Sequence, residues 1–259
     1  MLIDTHCHLD AAEFDSDRNQ VMTRSIACGV GGIVIPAVSR NNFAAVTSLC
    51  QSNDYLFPAY GIHPLYVDQA QEADLAVLRS LLPGKAVAIG EIGLDYFVEP
   101  RNETRQLEFF IHQLEIAKEY ELPVILHVRR AIDPILRELR RIKLVGGIAH
   151  AFNGSQQQAE AFIKLGFVLG FGGAMTYEKA RHIRRLAVEL PLESIVLETD
   201  APDIPPEWKW KQRNEPGELR GIAEALAKLR NQSLDEIISV TSSNALRILP
   251  GLKSVLTTD

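Results

Sequence analysis

No apolar run approaches the roughly 20 residues that cross a bilayer as a helix, and the 259 residues include only three cysteines, Cys7, Cys28 and Cys50. The first scarcity speaks against a helical membrane protein. The second, an odd number with no Cys-x-x-Cys spacing, speaks against a disulfide framework and for a reducing compartment. Positive charge is scarce too: 27 Lys and Arg stand against 33 Asp and Glu, a formal net charge of −6. Proteins that hold long nucleic acids by a broad electrostatic grip are usually basic, so wide duplex wrapping is not expected. A phosphate substrate stays open, because bound divalent cations supply positive charge that formal counting omits. No phosphate-cradling glycine loop is present, Gly170-Phe171-Gly172-Gly173 being too short for a P-loop or Rossmann fingerprint. No heptad seam, low-complexity tract or charge block marks a tail or linker, and the acidic N-terminus does not read as a signal peptide. A cytoplasmic protein with no membrane association and no obligate protein partner, working as a monomer, is the expectation.

What is present is an ordinary globular composition, 46% apolar and 23% charged, with enough length for one deep core. Short β-rich runs recur at 2–5, 32–38, 56–61, 86–90, 123–127, 147–150, 167–172 and 194–199. Between them lie stretches of helical spacing. The clearest is 103–121, where Leu107, Phe110, Ile111, Leu114 and Ala117 recur at three- and four-residue steps. Others cover 131–142, 156–165, 178–190 and 217–229, and a final one, 234–249, is entered at Ser233 and stopped by Pro250-Gly251. Eight strands alternating with helices over this length predict a single (β/α)8 TIM barrel, residues 1–259, with an extra C-terminal helix. Chemistry in such a barrel belongs at the C-terminal ends of the strands.

Chemistry-bearing residues stand where those ends are expected. His6 and His8 close the first run, two residues apart, and in a strand that spacing aims both imidazoles at one spot. Two convergent imidazoles are half of a divalent-metal site, while a pair of core histidines is the plainer account. Cys7 between them points away and reads as core. Glu91, His127, His150 and Asp200 each stand where an apolar run turns polar, a pattern that structural histidines and acids do not repeat by themselves. His63, before Pro64, either meets substrate or holds its turn. His112 and His182 fall inside helical patterns and read as surface or packing residues.

Six stretches carry a resemblance: Ile3-Asp4-Thr5-His6-Cys7-His8-Leu9, Gly61-Ile62-His63-Pro64, Gly90-Glu91-Ile92-Gly93-Leu94-Asp95, Leu122-Pro123-Val124-Ile125-Leu126-His127, His150-Ala151-Phe152-Asn153-Gly154-Ser155 and Leu197-Glu198-Thr199-Asp200-Ala201-Pro202. In order and spacing the chain resembles the TatD-type metal-dependent hydrolases, the deoxyribonuclease branch of the amidohydrolase-like barrels, and within them the YjjV-like subgroup. The resemblance implies two divalent cations, with His6, His8 and Asp200 holding one, His127 and His150 the other, and Glu91 bridging. Paired cations about 3.5–4 Å apart suit phosphoryl chemistry, one activating water and one stabilising charge on oxygen. A mixed His and carboxylate set suits Zn, Mn, Fe, Co or Ni, with Mg left open by phosphodiester chemistry. Asp200 and Glu91 are the expected catalytic carboxylates, Asp200 as general base as well as ligand. Glu198 reads as a group orienting a histidine, or as a buried ion pair. Asn214, in Arg213-Asn214-Glu215-Pro216, is expected to order the loop of Asp200, and Pro216 to begin the last barrel helix.

Around the mouth, His63, Arg129, Arg130, Tyr177, Lys179 and Arg181 are the expected substrate contacts, one of the adjacent arginines gripping a phosphate bidentately. Arg184 and Arg185 read equally as a solvated helix face. Val128, Ala151 and Asn153 depart from the family's common residues; none is an expected ligand, so the departures bear on substrate preference. Three functions compete. The first is a deoxyribonuclease trimming DNA ends in the 3′-to-5′ direction. The second is a hydrolase of an ester, amide or lactone, aminoacyl-tRNA included. The third is a metal-binding protein without catalysis.

Overall fold

Val, Ile and Leu fill the strand segments nearly without polar interruption, as parallel strands covered on both faces require. The computed structural model describes residues 1–252, so 253–259 of the expected domain lie outside the described residues. The elements follow one another as β1 (Leu2–Asp4), α1 (Arg18–Ala27), β2 (Val30–Pro36), α2 (Arg40–Gln51), β3 (Leu56–Tyr60) and α3 (Glu72–Leu81). They continue as β4 (Ala88–Asp95), α4 (Glu103–Glu119), β5 (Val124–Arg129), α5 (Ile132–Arg141), β6 (Gly147–Ala149) and α6 (Gln156–Lys164). The last are β7 (Phe167–Phe171), α7 (Arg181–Glu189), β8 (Ile195–Leu197), α8 (Leu219–Arg230) and α9 (Leu234–Ile248).

Among the described residues the strands form one parallel sheet in chain order, β1 to β8. The two ends of that sheet meet. Thr5 N donates to Leu197 O (3.1 Å), Asp200 N to His6 O (2.8 Å) and His8 N to Ala201 O (2.8 Å). The Asp4 carboxylate adds to this closure, accepting from Thr199 N (3.0 Å) and Thr199 Oγ1 (2.6 Å). The expected TIM barrel is therefore the fold, and closure brings the first and last strands' polar ends side by side. At the opposite end, Ala245, Ile248, Leu249 and Leu252 pack on Ile3, Val34, Phe57, Ala88, Ile125 and Val168. The extra C-terminal helix α9 thus caps the barrel floor and leaves its mouth to chemistry. No helix of the described residues is long and apolar enough to cross a membrane.

Several bounds differ from expectation, and at β4 and β5 the reason is that backbone pairing continues past the polar residues of the mouth. β4 runs past Gly90 to Asp95, pairing Gly93 with His127 and Asp95 with Arg129. Glu91 and His127 therefore sit inside strands, not at their ends. Gly93 is required there, since its φ is +147° and a Cβ would lie 2.0 Å from His127 O. Conversely β1 stops at Asp4 and β8 at Leu197, so His6, His8, Glu198 and Asp200 ride on the segments just beyond. α7 starts at Arg181, three residues late, and α8 at Leu219 after a 3-10 turn that Pro216 opens.

Candidate metal centre

Glu91, buried on β4, is the hub. Its Oε2 faces His6 Nε2 at 3.2 Å and His8 Nε2 at 3.5 Å. Its Oε1 faces His127 Nδ1 at 2.9 Å, His63 Nε2 at 3.6 Å and His150 Nε2 at 3.9 Å. Across the closure, Asp200 Oδ1 lies 3.6 Å from His6 Nε2, 3.8 Å from His8 Nε2 and 3.9 Å from His150 Nε2. Three groupings have metal-site geometry: His6 with His8 and Asp200, His6 with Glu91 and His150, and His63 with Glu91 and His127. All six residues expected to hold metal converge, and His63 joins them.

Hydrogen bonds behind the rings decide which nitrogen faces the centre. His127 Nε2–H donates to Asp95 Oδ2 (2.9 Å) and leaves Nδ1 facing Glu91 Oε1 (2.9 Å); burial of the ring is outweighed by the two carboxylates, which raise its pKa. Asp95 is locked in turn by Phe97 N (2.8 Å) and Val98 N (3.0 Å). Despite its burial, these bonds hold its carboxyl below the usual carboxylate range. His150 Nδ1–H donates to Glu198 Oε1 (3.1 Å), the orienting role expected of Glu198, and Ala151 N holds the same oxygen at 2.6 Å. His63 is arranged the other way. Its Nδ1 accepts from Leu65 N (3.2 Å), so the neutral ring carries its proton on Nε2, facing the centre. Burial pushes its pKa down to about 3. It both holds its turn and presents a neutral donor.

The donor set suits divalent cations. Two Nε2 atoms, of His6 and His8, face each other at 3.2 Å beside a carboxylate oxygen, and His127 Nδ1 meets another at 2.9 Å. Lone pairs meeting at such distances repel unless protons or cations stand between them. Five carboxylates, Asp4, Glu91, Asp95, Glu198 and Asp200, converge here, and among the described residues Arg129 Nη1 is the one Lys or Arg group within ion-pair distance of them, 3.9 Å from Asp95 Oδ2. Without a metal, protons do the compensating. His8 is raised to about 9: burial opposes its charge, but the Glu91 bond and the Glu91 and Asp200 charges win. His150 is raised to about 10, Glu198 and Asp200 likewise outweighing burial. Burial lifts Asp200 to about 6, against the pull of His150 and His8.

The remaining expected contacts divide. Lys179 and Arg181 border a cavity that reaches Asp200. Arg129 and Arg130 both lie over the Phe97 ring, at 3.9 and 4.4 Å from its centroid. Tyr177 is not brought to the cluster, because its hydroxyl donates to Pro205 O (2.9 Å) and its ring packs on Trp210. Asn214, fully buried, orders the Asp200 loop as expected, donating to Thr199 O (2.7 Å) and Asp203 O (2.9 Å). Asp95 and Asp4 were not singled out from the sequence. The signal was parity: Asp95 shares a strand face with Glu91, and Asp4 alternates in step with His6 and His8.

A (β/α)8 barrel with this histidine and carboxylate cluster at its mouth is the architecture of a metal-dependent hydrolase. The chain belongs to the TatD related DNase family, whose model matches residues 3–250. It is 41% identical over 246 residues to the uncharacterized metal-dependent hydrolase YjjV of Escherichia coli K12, covering 93% of this chain and 95% of that one. The crystal structure of YjjV superposes with a TM-score of 0.93 at 39% identity, over 96% of this chain and 98% of that one. Human deoxyribonuclease TATDN3 is 32% identical over 272 residues, covering 98% of this chain and 97% of that protein.

Proposed function

We propose that this metal-dependent hydrolase is a deoxyribonuclease that trims DNA ends in the 3′-to-5′ direction, as a monomer, with two divalent cations. Lys179 and Arg181 beside the cavity at Asp200 favour a phosphate over a carbonyl substrate. The observation that carries the two-cation part of this reading is the division of Glu91, one oxygen toward His6 and His8 and the other toward His127 and His150. A carboxylate so divided suits a bridge between two cations. His6, His8 and Asp200 would hold one and His127 and His150 the other. When bound, such cations neutralise charge on a phosphoryl oxygen and acidify water.

The chain's own residues supply the rest. Asp200 is placed to take the proton of the attacking water as its oxygen adds to phosphorus. The P–O3′ bond then breaks, O3′ takes a proton from solvent, and a 5′-mononucleotide leaves. His63 Nε2–H offers a neutral hydrogen bond to a phosphoryl oxygen, and Lys179 and Arg181 offer charge to neighbouring phosphates. The names of DNase relatives support the same bond class.

The test is a 5′-labelled single strand with Mn, Mg, Co or Zn. A ladder shortening from the 3′ end is expected, with binding that weakens as salt rises and in Lys179→Ala/Arg181→Ala. Intact DNA under every metal, with turnover of an ester or lactone, would replace this reading with carbonyl hydrolysis.

A further inference from the structure

On the β7 and β8 side of the centre, a cavity of about 420 Å³ opens beside Asp200. Asp200 and the buried Thr199 close its inner end, and Gly172, Ala174, Ile183 and Ile204 form much of its wall. The exposed Lys179 and Arg181 stand at its rim. Neither cation forms an ion pair or side-chain hydrogen bond among the described residues. The volume falls within the roughly 300–1,000 Å³ of small-molecule sites. Phosphate alone does not need so large a space, and the Glu198 and Asp200 carboxylates in the lining oppose its charge. A flat, largely apolar ring joined to a phosphate fits both the wall and the rim.

We infer that this cavity is a nucleoside subsite. It takes the base and sugar of the nucleotide whose phosphate stands at the metal centre, and Lys179 and Arg181 hold the phosphate next along the strand. The subsite rests on the phosphodiesterase reading for its orientation, but its ligand chemistry, a base on a sugar phosphate, can be tested apart from catalysis. The lining carries one small ring, the His182 imidazole, which Gly154 O holds at 2.8 Å, and no Phe, Tyr or Trp, so recognition comes mainly from enclosure of the base. All four bases should be accepted.

Calorimetric titration of the Mn-loaded protein with dAMP, 2-deoxyribose 5-phosphate and inorganic phosphate tests this. We expect dAMP to bind at least about ten-fold more tightly than the sugar phosphate that lacks a base, as burial of one ring predicts. A174F, which fills the wall, should bring that ratio close to one. Should A174F lose its cooperative melt, I204E, at the exposed lip, should do the same. Lys179→Ala/Arg181→Ala should weaken a short single strand more than dAMP, which separates a strand end from a free nucleotide as the occupant. Equal binding of dAMP and the sugar phosphate in the wild type would overturn the subsite, as would a ratio unchanged in a folded A174F or I204E. DNA left uncut while dAMP is still preferred would count against the deoxyribonuclease reading alone.

Discussion

At the scale of single residues, the centre is a contest between burial and pairing. Asp200 loses solvation on one side and gains His150 and His8 on the other, and the balance leaves it near 6. A carboxylate so placed is ionised at neutral pH yet more basic than an exposed aspartate, which suits a proton acceptor. Asp200→Asn keeps the size and one oxygen while removing the charge and nearly all basicity. With saturating Mn, kcat on DNA ends should fall by at least about two orders of magnitude. A near wild-type rate would show that Asp200 is neither base nor essential ligand.

His8 and His150 set a second expectation at this scale. Their raised values, about 9 and about 10, mean that both rings are protonated at neutral pH when no metal is bound. A cation needs the lone pairs those protons occupy, so the two compete. Apparent metal affinity should therefore rise with pH through neutrality, by roughly ten- to a hundred-fold per unit as one or two protons leave. It should level off above the imidazoles' raised values. Chelator competition across that range reads it directly, and a flat profile would mean that both rings are already neutral.

At the scale of elements, the mouth is assembled from pieces that do not belong to the strands proper. The segment after β8 turns at Asp200, whose φ is +57°, a conformation aspartate tolerates better than most residues. Asn214 holds that turn through its buried amide, with Glu215 N donating to its Oδ1 at 2.9 Å. Arg213 ties the same segment to the loop after β1, donating to both oxygens of Asp17 at 2.7 Å. Asn214→Ala strips buried carbonyls of their donor, and stability should fall by about 2–3 kcal/mol. Urea unfolding measures that loss. Metal affinity should fall with it, because Thr199 and Asp200 share the released loop. A variant as stable as wild type would place the loop's order elsewhere.

For the whole molecule, metal binding and folding are coupled through the barrel's closure. His6 and His8 follow the first strand and Asp200 the last, so a cation held between them would tie the first strand to the last. At a thousand-fold excess over Kd, one bound cation adds about 4 kcal/mol to stability. Removing metal with a chelator should lower Tm, and restoring Mn or Zn should recover it. His127→Ala/His150→Ala should keep less than the wild-type metal content by elemental analysis. Full content in that variant would remove the two-cation arrangement. Net charge acts at this scale as well: an acidic molecule with Lys179 and Arg181 exposed at one rim should lose DNA affinity quickly with salt.

The alternation of short apolar runs and helical stretches was enough to determine a parallel α/β architecture, because the periods of two and 3.6 survive in the sequence, and the expected meeting of first- and last-strand ligands chose a closed barrel over an open sheet. The same runs located the polar residues that end up at the mouth, since backbone geometry places every strand's C-terminal end on one side. Which of those residues touch was decided by tertiary structure. β4 and β5 pair beyond the point where their apolar character stops, and that extension seats His127 within the ladder and Glu91 at its irregularity between Ile89 and Ile92. Asp95 acquired its place from the same pairing, so no local pattern marked it as the partner of His127. The tautomers of His63, His127 and His150 depend on Leu65, Asp95 and Glu198, acceptors and donors up to 48 residues away in the chain. At His63 a local turn sets the hydrogen-bond direction, but at His127 and His150 it is a property of atoms brought together in space, and sequence spacing carries none of it until the barrel closes.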